Sequence, residues 1–469
     1  MSYQTAIARM YALGHELANL PAHKFDLAHM RVLLAALAHP ERRFPAVLIA
    51  GTNGKGSTAA TLASILKASG LRTGLYTSPH LIRINERIKI NDQQISDDDF
   101  ALLHDVVDRT AERLILEGEL PSHPSFFEML TAVAFEFFSR QHLDIAVLEV
   151  GMGGRLDATN VVQPLVSVIT DISLDHQKFL GDTVAEIARE KVGIIRPGGV
   201  VVTLPQQPAA NDVIGNAILQ MAAHGVSAVP YVPPVSPASR TYLRAQQTRT
   251  SFDGCWSHSS RQQTAGLLPA GLLSRYPLEV MGREISIETP LLGRHQLRNV
   301  ALAVAAAEQL AKQGFPITAD SIERGVPETR WPGRFQIVPA THDRPQYVLD
   351  VAHNPAGAWA LRSTLSACFP DREVLLLFGV MRDKAIGEMG EILFPLASCV
   401  ILTRAENPRA ATPEEVQNTT RVTARFEWTP DVASALERAR ALAGSNKLVV
   451  ITGSIYVIGE AMARLGIKA

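Results

Sequence analysis

Between Pro45 and Gly70 the sequence runs from a short apolar stretch, Pro45-Ala46-Val47-Leu48-Ile49-Ala50, through Gly51-Thr52-Asn53-Gly54-Lys55-Gly56-Ser57, into a segment whose apolar residues Ala60, Leu62, Ala63, Ile65 and Leu66 recur at helical spacing. A short apolar run stopped by glycine predicts a buried strand, and the period that follows predicts a helix over 57–68. In that order of strand, glycine-rich loop and helix, successive backbone N–H groups and the helix dipole can cradle a phosphate. The loop is a variant of the pattern G-x-x-x-x-G-K-[ST], because Ile49 stands where the first glycine belongs and Gly56 separates Lys55 from Ser57. Lys55 is expected to supply a point charge to the β- and γ-phosphates and Ser57 a hydroxyl near them or their metal, while Gly54 and Gly56 permit close backbone approach. The competing reading is a glycine-rich turn that binds nothing.

The chain has 469 residues, about three times an average domain, which favours two domains of unequal size. Strands are expected at Thr73–Thr77, Leu143–Val150, Val166–Thr170, Tyr347–Val351, Val374–Phe378, Cys399–Thr403 and Leu448–Thr452, with helical patterns at Phe127–Phe138 and, buried on one face, at Leu297–Leu310. The first 40 residues read as amphipathic helix broken near Pro21. Val- and Ile-rich strands alternating with helices indicate α/β architecture, a mostly parallel sheet covered on both faces. Residues 1–330 are expected to form one domain carrying the glycine-rich loop, with an irregular or β-rich insertion at about 226–277, residues 331–334 a linker interrupted by Pro332 and Gly333, and residues 335–469 a smaller α/β domain.

Lysine plus arginine number 45 and aspartate plus glutamate 46, a net charge of −1, which leaves no broad electrostatic footprint for nucleic acid or an anionic membrane. Cys255, Cys368 and Cys399 follow no metal-ligand or disulfide pattern, and no apolar run reaches the roughly 18 residues of a membrane span, so a reducing cytoplasm is expected.

Glu149 ends a predicted strand, where ligands gather in parallel sheets, and a carboxylate there suits magnesium; a salt-bridged or capping role suits it equally. His176, in Ser173-Leu174-Asp175-His176, should reach the same edge, as a ligand or as a structural imidazole.

The loop 51–57, Thr77-Ser78-Pro79-His80-Leu81, the block Glu149 to Asn160, Asp175-His176, and Arg189-Glu190-Lys191-Val192-Gly193-Ile194 together resemble folylpolyglutamate synthase, including its bifunctional dihydrofolate synthase form, among the Mur-type ligases. Pro332-Gly333-Arg334-Phe335, Asp350 to Pro355 and Asp383-Lys384 continue the resemblance in order, and the stretch 205–290 is its weakest part. It implies a P-loop-type ATPase domain plus a smaller Rossmann-like domain, and an ATP-dependent ligase joining L-glutamate to dihydropteroate and to tetrahydrofolate or its polyglutamates.

By resemblance, Gly54, Lys55, Gly56 and Ser57 hold the nucleotide phosphates; Ser78, Glu149 and His176 ligate magnesium; and Lys191, as a carbamate, holds a second magnesium, against the alternative of an exposed helical lysine. Asn299 would contact the nucleotide base or else be a surface amide; Arg334 and Asp350 would close over the nucleotide, with His353 near the transferred phosphate. Asn354-Pro355 also reads as a helix cap and first turn. On the pterin side the family pattern points to Phe25, Asp26, Ser125, Phe126, Phe127, Glu128, Leu156, Asp157 and Ala158, with Phe126 and Phe127 equally readable as core. Arg155-Leu156-Asp157 favours the dihydropteroate reaction, while Ala385 replaces a second aspartate that many members have after the lysine. A monomer working on small molecules is expected, with the site in the interdomain cleft. The rivals are a ligase that only extends folates, a Mur-type ligase of peptidoglycan precursors, which usually has Thr where this chain has Gly56, and a nucleotide-dependent binding or regulatory protein.

Overall fold

The computed structural model describes residues 1–14, 27–234, 272–444 and 447–469. Two compact units emerge: one comprises Met1–Pro234, Tyr276–Ile287 and His295–Trp331, the other Glu288–Arg294 and Pro332–Ala469 together with the described part of 235–275. Most of the expected insertion, and Pro21 with it, lies outside the described residues.

In the first unit the strands are β1 (Ala46–Ala50), β2 (Thr73–Tyr76), β3 (Ile88–Ile90), β4 (Gln93–Gln94), β5 (Ile145–Glu149), β6 (Pro164–Ile169), β7 (Val200–Thr203) and β8 (His224–Ser227), ordered β4-β3-β2-β5-β1-β6-β7-β8. From β2 to β8 all neighbours are parallel; β3 and β4 add an antiparallel edge that apolar periodicity did not announce. The central strand β1 is buried throughout: Ala46, Leu48 and Ala50 join one core with the helix Phe126–Arg140, while Val47 and Ile49 join a second with the helices Lys55–Ala68 and Arg294–Lys312. Burial on both faces is why that strand reads as an uninterrupted apolar run.

The paired strands β9 (Ser274–Val280) and β10 (Arg283–Thr289) turn at Met281-Gly282, both at positive φ. Tyr276, Leu278, Ile285 and Ile287 pack into the second core beside the helix Arg294–Lys312. That helix differs from expectation, since every residue from Asn299 to Ala307 is buried. Its alanines leave it narrow enough to be covered all round.

The second unit holds β11 (Gln336–Val338), β12 (Gln346–Leu349), β13 (Val374–Phe378), β14 (Ala397–Leu402), β15 (Phe426–Trp428) and β16 (Leu448–Thr452) in the order β11-β12-β16-β13-β14-β15, parallel except for β11. The helix Pro355–Cys368 starts as the sequence suggests, with Asn354 Oδ1 accepting the Gly357 N–H at 2.8 Å and Pro355 in the first turn. No helix among the described residues is long and apolar enough to cross a membrane.

Candidate active site

The glycine-rich loop leaves the C-terminal end of β1 and is pinned to the end of β6. Thr52 and Asn53 N–H groups donate to the Asp171 carbonyl at 2.7 and 3.2 Å, and Asn53 Nδ2 reaches Asp171 Oδ2 and Ser173 Oγ. Gly51 is a close-approach glycine: a Cβ there would stand 1.8 Å from Thr170 Oγ1. The helix Lys55–Ala68 opens with Gly54 at φ +87°, without a side-chain cap. Its first N–H to find a helical acceptor is that of Thr58, on Gly54, so the N–H groups of Lys55, Gly56 and Ser57 precede the ladder, as in anion-binding helix starts.

Two lysines converge on one carbonyl. Lys55 Nζ donates to Gly51 O at 3.1 Å and to Thr52 O at 3.2 Å, and Lys191 Nζ donates to the same Gly51 O at 2.8 Å. Lys191 closes the helix Val184–Lys191, which begins with a Thr183–Glu186 capping box, and only 3% of it is exposed. The exposed-lysine alternative is thereby set aside. Burial, with the Lys55 ammonium beside it, lowers the Lys191 amine from 10.5 to about 7, against the pull of Asp175 and Asp157.

Glu149, 4% exposed at the end of β5, accepts the Ser78 N–H on Oε2 at 3.1 Å, so these two predicted ligands are neighbours on adjacent strands. His176 takes a left-handed conformation, φ 51°, next to the largely buried Asp175 carboxylate. Asp175, which the sequence offers only as part of the Asp175-His176 block, thus places a carboxylate 3.9 Å from the His176 ring. Among the described residues no three His, Cys, Asp or Glu side chains are placed to hold a metal by themselves. The expected set differs in kind, since it also draws on a serine hydroxyl and a modified lysine.

Asn299 is a buried amide, not a surface one: Nδ2 donates to Gln296 Oε1 at 2.9 Å, and Oδ1 lies 2.2 Å from where a Cβ on Gly54 would be. Trp331 rests on Gly56, its Cζ2 2.3 Å from the corresponding Cβ position. The sequence places it only in a linker, and nothing local to residue 331 marks this contact.

Phe25 and Asp26 lie outside the described residues. Ser125 and Glu128 form a capping box at the start of the helix Phe126–Arg140. The aromatic pair divides: Phe126 is core, stacked on Tyr11 at 5.9 Å, whereas half-buried Phe127 packs over Gly151, with its ring 2.6 Å from a Cβ placed there. Asp157 clasps the same glycine loop, accepting from Met152 N at 3.0 Å and from Thr159 N and Oγ1 at 3.0 and 2.5 Å. Burial nonetheless pushes its carboxyl upward. Leu156 beside it is partly exposed and Ala158 buried. Gly154 abuts the backbone of Glu190 and Lys191, so this loop and the Lys191 helix share one wall.

In the second unit Asp350, 8% exposed, accepts from Phe335 N at 2.8 Å and Ala352 N at 2.9 Å, holding the turn that bears Arg334. Burial raises its carboxyl and the Arg334 charge opposes that. His353 Nδ1 lies 3.0 Å from the Val351 carbonyl, an acceptor, which puts the ring proton on Nδ1.

A loop-and-helix phosphate cradle, two lysines beside it and a second parallel-sheet unit define a Mur-type ligase, the class of ATP-dependent amide-forming enzymes. Residues 49–307 match the Mur ligase middle domain and residues 333–455 the Mur ligase glutamate ligase domain. A Bacillus subtilis dihydrofolate synthase/folylpolyglutamate synthase is 34% identical over 444 residues, covering 94% of this chain and 95% of that protein. A Lacticaseibacillus casei folylpolyglutamate synthase is 34% identical over 437 residues, covering 92% of each. The structure of Mycobacterium tuberculosis folylpolyglutamate synthase complexed with ADP superposes with a TM-score of 0.82 at 28% identity, covering 100% of both chains. The chain belongs to the dihydrofolate synthase/folylpolyglutamate synthase family.

Proposed function

We propose that this chain uses ATP to join L-glutamate to dihydropteroate and to tetrahydrofolate or its polyglutamates. The observation that carries the reading is the convergence of Lys55 and Lys191 on the Gly51 carbonyl at the mouth of a phosphate loop. The Lys55 ammonium and the N–H groups that precede the helical ladder favour an anion at the end of the parallel strand, while burial and crowding against Lys55 keep the Lys191 amine partly neutral. Names support it too: relatives across most of this chain's length are dihydrofolate synthase/folylpolyglutamate synthases, and one solved relative is an FPGS-AMPPCP-folate complex with TM-score 0.76 at 29% identity.

A carboxylate acylates poorly because its leaving group would be oxide. A carboxylate oxygen of the folate-type acid therefore attacks the γ-phosphorus of ATP, giving an acyl phosphate and ADP. The neutral amine of glutamate then attacks the acyl carbon, and phosphate leaves with the C–O electron pair. The N–H groups of 55–57 and the Lys55 ammonium stabilise charge on the phosphoryl oxygens. His353, with its proton on Nδ1, leaves Nε2 as the ring's other polar atom, the one that the family resemblance would assign to the transferred phosphate. Asp350 fixes the turn that bears Arg334, a residue that the family resemblance assigns to the nucleotide, and Asn299 shapes the loop through Gly54.

Glu149 and Ser78, neighbouring oxygen donors, fit a hard cation, with His176 as a further ligand. Magnesium held by these residues would offset phosphate charge. Lys191 as an ammonium cannot join that set. With its amine lowered to about 7, a large neutral fraction at neutral pH can add to CO2, forming a carbamate and releasing one proton. The carbamate oxygens would hold a second magnesium. A 13C-bicarbonate NMR experiment should show a carbamate carbon that is absent from Lys191→Ala; identical spectra would remove the modification. On this reading Phe127, Asp157 and Leu156, together with Ala158 and the Ser125–Glu128 cap, are the described residues that the family resemblance would give to the pterin.

The test is incubation with MgATP, L-glutamate and either dihydropteroate or tetrahydrofolate, with products identified by mass. Dihydrofolate from the first acceptor and a glutamate-extended folate from the second are expected. Extension alone would withdraw the dihydropteroate assignment, and ADP release that neither acceptor stimulates would favour a binding protein.

A further inference from the structure

We propose that Trp331 is a positioning residue of the nucleotide site: its indole is the wall that holds the phosphate loop in its anion-binding shape and ties that loop to the residue where the chain leaves the first unit. The proposal rests on the loop binding nucleotide, as argued above.

The loop glycines are glycine for different reasons. Gly54 sits at φ +87°, a conformation that L side chains rarely adopt. Gly56 is not among the positive-φ residues, so its backbone would accept any side chain. What excludes one is Trp331. A Cβ on Gly56 would lie 2.3 Å from Cζ2, 2.9 Å from Cε2 and 3.2 Å from Nε1 of the indole. The benzenoid edge therefore rests directly on the backbone of the second helical residue, between Lys55 and Ser57. Its Nε1 is shielded from solvent although the residue as a whole is only half-buried. A rigid ring in van der Waals contact with Gly56 restricts the peptide planes on either side, which carry the N–H groups that precede the helical ladder. This also accounts for the departure from Mur-type enzymes that have Thr at this position: glycine and indole together occupy the space.

Trp331 is the last residue of the first unit, and Pro332-Gly333-Arg334 follows immediately. The residue that buttresses the loop is therefore also the one from which the segment carrying Arg334 departs.

The experiment measures ADP affinity by titration calorimetry and tryptophan emission in the full-length protein and in Trp331→Leu, Trp331→Phe, Gly56→Ala and the Gly56→Ala/Trp331→Leu double variant. ADP should bind Trp331→Leu about tenfold more weakly, Trp331→Phe within about threefold of the original, and Gly56→Ala more weakly than either, by more than about tenfold. The double variant should be no weaker than Gly56→Ala, because the clash is relieved, a non-additivity expected only of residues in contact. ADP should alter tryptophan emission in the original protein and leave Trp331→Phe unaltered. A purely structural Trp331 would lower the melting midpoint of Trp331→Leu while leaving the ADP Kd within twofold; that result, or an additive double variant, overturns the proposal. Absence of ADP binding to the original protein overturns the nucleotide reading itself, so the two failures are distinguishable.

Discussion

Replacing Lys191 with methionine removes the charge while keeping a long apolar side chain, and the structure dictates how stability should respond to pH. The amine is 3% exposed, and burial with the adjacent Lys55 charge lowers it from 10.5 to about 7. At 1.36 kcal/mol per tenfold change in proton affinity, that fall corresponds to on the order of 5 kcal/mol of destabilisation when the native state must keep the ammonium. The direction follows from proton counting. Between pH 7 and 10.5 the unfolded chain binds the proton and the folded chain does not, so stability rises with pH in that window; below pH 7 both bind it and the full penalty is present. Near pH 9 the remaining cost is that of neutralising a lysine of ordinary affinity, about 2 kcal/mol. The stability difference between Lys191→Met and the original protein should therefore shrink by about 3 kcal/mol from pH 6 to pH 9. Methionine also deprives the Gly51 carbonyl of its 2.8 Å donor, which shifts the whole difference curve without changing its slope. Urea unfolding in CO2-free buffer measures it, since CO2 would trap the neutral amine. Parallel pH profiles for the two proteins would refute the buried, neutralising lysine.

Gly54→Ala should weaken ATP binding by at least about tenfold, because a Cβ there meets Asn299 Oδ1 at 2.2 Å and φ is +87°, a region costing an L residue about 1–2 kcal/mol; calorimetric titration with unchanged affinity would contradict the loop geometry. Ala385 is exposed at the uncapped N-cap of the helix Ile386–Leu393, so Ala385→Asp should raise the unfolding midpoint through about 0.5–1 kcal/mol of capping. A thermal scan showing no gain would mean that the Ala385 backbone cannot present an acceptor.

The sequence was most legible where two-sided burial leaves a continuous apolar run. Val374–Phe378 and Leu448–Thr452 were placed to the residue, and β1 within one. The short edge strands β3, β4, β11 and β15 carry too few residues to show a period, and β9 alternates buried and exposed positions through a segment whose flanking prolines and serines dominate the local texture. At the site, residues whose chemistry is local to a motif, such as Lys55 and Glu149, could be named from sequence. Trp331 could not, because its role is a contact across 275 positions with a residue that has no side chain. Phe126 and Phe127 were indistinguishable by pattern, and only the packing of Tyr11 on one and Gly151 against the other separates them.

The buttressing of the loop by Asn299 and Trp331 sets a timetable for synthesis. Residues 51–57 are made early, yet β1 cannot be flanked until β5 and β6 exist, Gly54 meets Asn299 only when residue 299 has been added, and Gly56 meets Trp331 only when residue 331 has been added. At roughly 5–20 residues per second, translation leaves about 6–24 s between β1 and the end of β6, the second of the two strands that flank it, and about 15–55 s between the loop and residue 331. The glycine-rich loop is thus among the last parts of the first unit to be finished, and a nascent chain shorter than 331 residues lacks the indole that rests on it.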